Sequence, residues 1–333
     1  MIQGKIINKK KHKNYIFLII TNNFGNSRLV IDLNQVDEKH ANDLCVGDVI
    51  ECNVFSNDEM PEHFDFDGSS YNVKTISIIS KHLEESKFSP NITAISDYSK
   101  MKLKARKFLD ENDYVEIPIP TLTNDEVSSS SDSFKTYHDK TKRELYLIKS
   151  MDPFLRVLSC SGMDKIYGLT NIYRNEHISS WRQPIFEMLS VYSNYFSQED
   201  TINLCLNLFE NIGFKDNDKL QIISNFTNDS NSNSKKIIGD NCNDEFKIKY
   251  KDKTIAHGVN EICNIDEYIE MLDRQGKSIT KGDLEILRNC IASGAVPCYS
   301  VGISLQRILA LENDIKLDEV NPFPFSRIKK VKR

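Results

Sequence analysis

Tyr173-Arg174-Asn175-Glu176-His177-Ile178-Ser179-Ser180-Trp181-Arg182-Gln183-Pro184-Ile185-Phe186 is the stretch on which the reading of this chain turns. It joins residues 165–173 to residues 185–192, two segments whose β-branched and aromatic content predicts strands. The polar loop 174–183 then crowns a hairpin, with Arg and Glu leaving one strand and Phe entering the other. That trio suits a nucleotide. A guanidinium forks onto phosphate, a carboxylate accepts from an adenine amino group, and an aromatic ring stacks on a base. On its own, the loop reads rather as a surface hairpin with an ordinary Arg–Glu pair.

Outward from the hairpin, the chain from 84 to 333 mixes helices with strands. Ile95, Tyr98, Met101, Ala105, Phe108 and Leu109 recur at helical spacing, so residues 95–112 are expected to form a helix with one apolar face. Tyr114-Val115-Glu116-Ile117-Pro118-Ile119-Pro120 follows as a strand ending on prolines, which cannot donate to a ladder. Residues 124–133 form a polar loop, 145–148 a strand, 153–160 and 198–212 helices. Residues 214–243, rich in Asn, Ser, Asp and Lys, have the weakest claim to order. Residues 262–289 read as mostly helical, and Val301 leads through Gly302 into a helix at 305–311. Strands at hairpin spacing with interspersed helices predict an α+β domain, an antiparallel sheet flanked by helices.

Residues 1–83 differ in character. Segments 2–8, 15–21, 27–33, 49–55 and 71–80 read as strands, with polar breaks at 9–14 and 22–26. A short helix is expected at 35–44, a turn at 46–48 and an exposed acidic loop at 56–70. Five strands with a helix between the third and fourth is the order of an OB barrel, a fold that commonly holds oligonucleotides. The pattern alone leaves any other small five-stranded barrel open.

Composition sets outer bounds. The 333 residues carry 43 Lys+Arg against 48 Asp+Glu, a formal charge of −5, with 39% hydrophobic residues. A wholly disordered chain is excluded by that apolar content, and a nucleic-acid-coating protein by the missing basic excess. No apolar run nears the ~20 residues of a membrane helix. Residues 15–20, behind the basic residues 9–13, are too few for a secretory h-region. A cytoplasmic protein is expected. The eight cysteines show no CxxC pair and read as reduced core residues rather than zinc ligands. The basic residues 9–13 read equally as a solvated turn or as a contact to RNA phosphate, and 328–333 as a solvated tail, while His177 and His257 flank the presumed site without an assigned catalytic role.

Three landmarks fall in a telling order: Pro120 after a strand, the Arg174-x-Glu176 loop, and Gly302-Ile303-Ser304-Leu305-Gln306-Arg307 opening a late helix. In that order they resemble the three motifs of the class II aminoacyl-tRNA synthetases, in the subgroup for lysine, aspartate and asparagine. Ser133-Phe134-Lys135-Thr136-Tyr137-His138, Leu145-Tyr146-Leu147 and Asp152-Pro153-Phe154-Leu155-Arg156 are most similar to the lysyl branch, and Arg182-Gln183-Pro184 to the aspartyl branch. The resemblance implies an anticodon-binding-like OB domain at 1–83 and a catalytic domain at 84–333. It implies a ligase that converts ATP to AMP and pyrophosphate, with Mg²⁺, an amino acid, tRNA held by the barrel, and a homodimer through the 104–120 region. In the roles it implies, Arg174 grips the carboxylate and the α-phosphate, and Glu176 takes the adenine amino group. Phe186 stacks under adenine, Arg307 covers its other face near the γ-phosphate, and Arg182 holds the departing pyrophosphate. Asp152, Ser190 and Tyr192 line the amino-acid site, and Glu261 fits a magnesium-binding carboxylate.

The departures from the family pattern carry information. Ile185 stands where a Glu is expected after Pro184, Ser190 where an acidic residue faces the substrate, and Thr254 where a second metal carboxylate would be. Ser300 and Ser304 replace glycines, and Gln306 replaces the Asp before Arg307. Fewer carboxylates weaken Mg²⁺ binding, and the loss at 190 removes a partner for a charged substrate. Two alternatives to a tRNA ligase stay open. One is a paralogue passing its activated amino acid to a protein, peptide or small molecule. The other is a silent regulator that binds nucleotide or tRNA.

Overall fold

The computed structural model describes residues 1–22, 25–36, 41–56, 69–82, 90–124, 126, 132–225, 243–274 and 283–324. They fall into two compact units, Met1–Asp97 and Tyr98–Arg333.

In the first unit, β1 (Ile2–His12), β2 (Tyr15–Asn22), β3 (Gly25–Asp32), β4 (Val49–Ser56) and β5 (Ser69–Ser80) close into a barrel of order β1-β2-β3-β5-β4. Closure comes from β1, which pairs antiparallel with both β2 and β4, while β3 and β5 lie parallel. Period-2 alternation sends Ile16, Leu18 and Ile20 inward, where they meet Ile6, Leu29, Ile31, Ile50 and Val73. The expected five-stranded barrel is therefore present, with one correction. Lys9–His12 do not break the chain; they extend β1, and Lys9 Nζ donates to the carbonyls of Ala41, Asn42 and Leu44. Lys10, Lys11 and His12 point their side chains to solvent, while the half-buried Lys9 has its pKa lowered by desolvation. Residues 37–40 of the expected helix and 57–68 of the expected acidic loop lie outside the described residues.

The second unit begins in α1 (Ile92–Glu111). After it come β6 (Val115–Glu116), β7 (Leu122–Thr123), β8 (Lys135–His138), β9 (Arg143–Leu147), α2 (Asp152–Cys160), β10 (Lys165–Tyr173) and β11 (Ile185–Asn194). The chain continues through α3 (Gln198–Ile212), β12 (Gln221–Ser224), β13 (Glu245–Tyr250), β14 (Lys253–Asn260), α4 (Ile265–Arg274), α5 (Asp283–Ala292), β15 (Cys298–Ile303), α6 (Leu305–Glu312) and α7 (Leu317–Val320). Seven strands form one sheet, β12-β13-β14-β15-β11-β10-β6, antiparallel except for β6 along β10. Strands β7, β9 and β8 form a small second sheet.

Alternation along β11 gives the large sheet two different faces. Leu189 and Val191 pack with Tyr299 and Val301 under Met101 and Leu109 of α1, Leu208 and Phe209 of α3 and Ile308 of α6. Tyr192, pointing the other way, packs with Ile166 and with Met151 and Leu155 at α2. Gly258 on β14 is required by packing, since a Cβ there would lie 2.2 Å from Phe246 Cε1.

The α+β architecture is as expected, but six strands lie outside the sequence reading: β7, β8, β12, β13, β14 and β15. β12 lies inside 214–243, the stretch with the weakest claim to order, while β7, β8, β13, β14 and β15 fall where no strand is expected. The strand expected over 114–120 is only Val115–Glu116, because Pro118 and Pro120 lack amide donors. Among the described residues no helix is long and apolar enough to cross a membrane.

Candidate active site

The β10–β11 ladder runs in register from Lys165↔Ser193 to Tyr173↔Ile185, and Arg174 N–H then donates to the Pro184 carbonyl at 2.8 Å. The crown therefore starts at Arg174. A tight turn closes its far end, with Ser179 and Arg182 bridged backbone to backbone. Arg174 Nε donates to the Lys149 carbonyl at 3.2 Å, which lays the guanidinium 5.3 Å from the centroid of the Phe186 ring. On the third element, β15 runs into α6, and Ser304 caps that helix by accepting the Arg307 N–H. This places Arg307 in the first helical turn. Its Nη1 donates to the Thr254 carbonyl at 3.0 Å and its Nη2 to the Trp181 carbonyl at 3.1 Å, tying the loop to the helix.

The three elements enclose a cleft of about 910 Å³ whose lining includes Arg174, Glu176, Arg182, Phe186, Gln306 and Arg307. Burial pushes the Arg307 pKa below its ordinary value, and the positive charges of Arg182 and Arg174 push it further the same way. Three guanidiniums that repel one another across a cleft form a receptor for a polyanion, because phosphate oxygens replace repulsion with charge-assisted hydrogen bonds. Gln306 is folded into the scaffold, its Oε1 accepting the Glu187 N–H at 3.3 Å. Behind the sheet, Glu187 accepts the Tyr98 hydroxyl at 2.6 Å and pairs with Lys102 at 3.1 Å.

A second polar group lies toward α2. Asp152 starts that helix and accepts the Ser150 hydroxyl at 2.5 Å. One turn on, Arg156 is buried, donating to the Ile262 carbonyl at 3.3 Å and to Cys263 Sγ at 3.4 Å, with its Nε left without a partner. Ser300 Oγ donates to Glu261 Oε1 at 2.6 Å. Burial raises the Glu261 pKa, opposed by the Arg156 guanidinium and the Ser300 hydrogen bond. For Arg156, burial works against the charge, but Glu261 beside it holds the pKa above its usual value. Tyr192 completes the cluster with a buried hydroxyl beside Glu261, its pKa raised by burial and by the carboxylates of Asp152 and Glu261. Ser190 is buried two pairs further along β11, opposite Gly302.

The structure thus gathers Arg174, Glu176, Arg182, Phe186 and Arg307 into one cleft, and Asp152, Tyr192 and Glu261 into the adjoining cluster. Glu261 does not fit the expected magnesium role. Its carboxylate is engaged by Ser300 and balanced by Arg156, and Thr254 offers Arg307 a carbonyl in place of a carboxylate. Among the described residues no three His, Cys, Asp or Glu side chains gather as a metal cage. Arg156 was missed as a site residue. The signal was available in its four-residue spacing from Asp152, which puts both on one face of a short helix.

A hairpin crown, a helix N-terminus and a large antiparallel sheet, meeting at a cleft lined by arginines, match the class II synthetase fold. Residues 91–229 match the family described as tRNA synthetases class II (D, K and N). The lysine–tRNA ligase of Enterococcus faecalis is 33% identical over 110 residues, 33% of this chain and 22% of that protein. That of Buchnera aphidicola subsp. Acyrthosiphon pisum is 30% identical over 159 residues, 47% of this chain and 28% of that protein. The matched stretches thus span about a quarter of these relatives' own length. The crystal structure of asparaginyl-tRNA synthetase from Pyrococcus horikoshii complexed with asparaginyl-adenylate superposes with a TM-score of 0.77 at 15% identity, covering 97% of this chain and 94% of that one. That likeness is one of fold.

Proposed function

We propose that the chain activates an amino acid with ATP and transfers it to tRNA in the cytoplasm. The observation that supports this most is the convergence of Arg174, Arg182 and Arg307 with Phe186 and Glu176 in a single cleft. In the reaction, a carboxylate oxygen of the amino acid attacks the α-phosphorus. The bond from that phosphorus to the bridging oxygen breaks, and pyrophosphate leaves. A tRNA hydroxyl then attacks the aminoacyl carbonyl and releases AMP. The protein supplies alignment and charge compensation rather than a nucleophile. Arg174 holds the carboxylate against the α-phosphate, Arg307 and Arg182 take the charge of the leaving pyrophosphate, and Phe186 and Glu176 hold adenine. Asp152 receives the α-ammonium, with Tyr192 and Ser190 beside the side chain. In the family Mg²⁺ neutralises phosphate charge; the residues here do not make such a site, and no step is assigned to it.

The five-stranded barrel supports tRNA as acceptor. Exposed Leu103, Val115 and Leu122, around the strand that follows α1, support a homodimer. A second reading, a silent nucleotide-binding paralogue, is favoured by one observation: the carboxylate expected to hold metal is consumed by Arg156 and Ser300. Amino-acid-dependent ATP–pyrophosphate exchange, run with each standard amino acid, separates the two. Exchange with one of them supports ligation, whereas ATP binding without any exchange leaves the silent paralogue.

A further inference from the structure

Phe186 and Arg307 each stand one residue from a partner in a single hydrogen bond, in which Gln306 Oε1 accepts the Glu187 N–H at 3.3 Å. The place of that bond in the sheet gives it weight. The β11–β15 ladder ends at Leu189↔Ile303, whereas β11 continues beside β10 as far as Tyr173↔Ile185. From Met188 back to Ile185, β11 therefore has its ladder on one side. On the other side Gln306, in the first turn of α6, takes up an amide. Alternation along β11 sends Phe186 and Met188 to the cleft and Glu187 to the opposite face. There the Glu187 carboxylate accepts the Tyr98 hydroxyl at 2.6 Å and pairs with Lys102 Nζ at 3.1 Å. The Tyr98 ring belongs to the core, and Lys102 Nζ lies 4.9 Å from its centroid. Burial and the Glu187 charge raise the Tyr98 pKa, so the phenol keeps the proton it donates. Glu187 is thus fixed from two directions, by its side chain to α1 and by its amide to α6. Among the described residues, neither Tyr98 nor Glu187 lines the cleft.

We propose that Glu187 is a positioning residue for the base of the bound nucleotide. Held by Tyr98 and Lys102 and bonded to Gln306, it sets the gap between the Phe186 ring and the Arg307 guanidinium. This rests on the reading of Phe186 and Arg307 as the two faces of the adenine site, and adds what spaces them. The physical reason is the range of the forces involved. A gap of about 0.5–1 Å beyond contact forfeits a quarter to a half of the dispersion attraction on a stacked base. Attraction between guanidiniums and phosphates falls off far more slowly with distance. Loosening the joint therefore weakens recognition of the base and spares recognition of the phosphates.

The test is calorimetric titration of the full chain with ATP, with AMP and with inorganic tripolyphosphate, which carries phosphates without a base. Tyr98→Phe deletes one hydroxyl behind the sheet. It should raise Kd for ATP and AMP about 10-fold, the worth of one hydrogen bond to a charged group, with tripolyphosphate binding held within about 2-fold. Glu187→Ala should cost more in the same pattern, and Glu187→Gln, which keeps an acceptor for Tyr98, should recover part of the loss. Tyr98→Phe, the mildest change, decides the matter should Glu187→Ala fail to fold. An unchanged Kd for AMP in Tyr98→Phe, or an equal loss for AMP and tripolyphosphate, overturns the spacing role and leaves nucleotide binding standing. A parent chain that binds neither ATP nor AMP overturns the adenine site and the spacing role together.

Discussion

Arg156 shows how a single side chain sets the character of its surroundings. It is the counter-charge beside the half-buried Glu261, so Arg156→Met should cost roughly 1–3 kcal/mol of stability in urea unfolding. Adding Glu261→Gln should return most of that loss, because the uncompensated charge is then gone. Burial raises the Glu261 pKa despite Arg156, so the folded chain holds this proton more tightly than the unfolded one. Its contribution to stability therefore declines as pH rises from the ordinary glutamate value of ~4.3 toward the raised folded value. In Arg156→Met the decline should be steeper, as unfolding series at several pH values would show. In the cleft, Arg174→Ala should lower any exchange rate at least about 100-fold, since the guanidinium meets charge that develops in the transition state. Its melting temperature should barely move; retained exchange would show that the carboxylate and α-phosphate are held elsewhere. Arg174, Glu176 and Phe186 were legible as candidates because they crowd one short loop. Arg156 was not, since a guanidinium in sequence looks like any surface charge.

At the scale of elements, two sites test how the strands are held. Asp48 is fully buried in the barrel, accepting the Cys45 amide at 2.8 Å, the His82 amide at 2.7 Å and Lys81 Nζ at 2.9 Å. Burial alone would raise its pKa, but the two amides and the Lys81 charge outweigh it and the pKa is lowered. A depressed carboxylate stabilises the fold above its unfolded pKa of ~3.9, and that stability is lost as pH falls through the folded value. Asp48→Asn should cost about 2–4 kcal/mol at neutral pH, the gap from the parent narrowing below pH ~4. On β14, Gly258→Ala would set a methyl against the buried Phe246 ring, and a thermal melt should register a loss of about 1–3 kcal/mol. The hairpin strands were readable because their β-branched and aromatic runs are bounded by polar residues. β13 was readable in principle, Glu245-Phe246-Lys247-Ile248-Lys249-Tyr250 being a period-2 alternation, but its charged positions obscured it. β12 was hidden because a four-residue strand gains its stability from the ladder with β13 rather than from its own sequence.

For the whole molecule, the proposed homodimer predicts twice the 38.3 kDa chain mass in light scattering at micromolar concentration. Leu103→Glu with Val115→Glu, two positions 69% and 50% exposed, should shift it toward monomer. A parent chain that is already monomeric would remove this part of the reading. What the sequence determined by itself was local: strand periods, the loop that carries Arg174 and Phe186, the helix start at Ser304, and their order along the chain. These follow from propensity, capping and periodicity, which act over a few residues. Only the tertiary structure decided which charges meet. It brought Arg307 to Trp181 and Arg174 across the sheet, and it placed Glu261 against Arg156 and Ser300 rather than in the cleft. It also set Glu187 between Tyr98 and Gln306. A carboxylate or guanidinium acquires its role from burial and from the charges beside it, and those neighbours come from elements far apart in the chain.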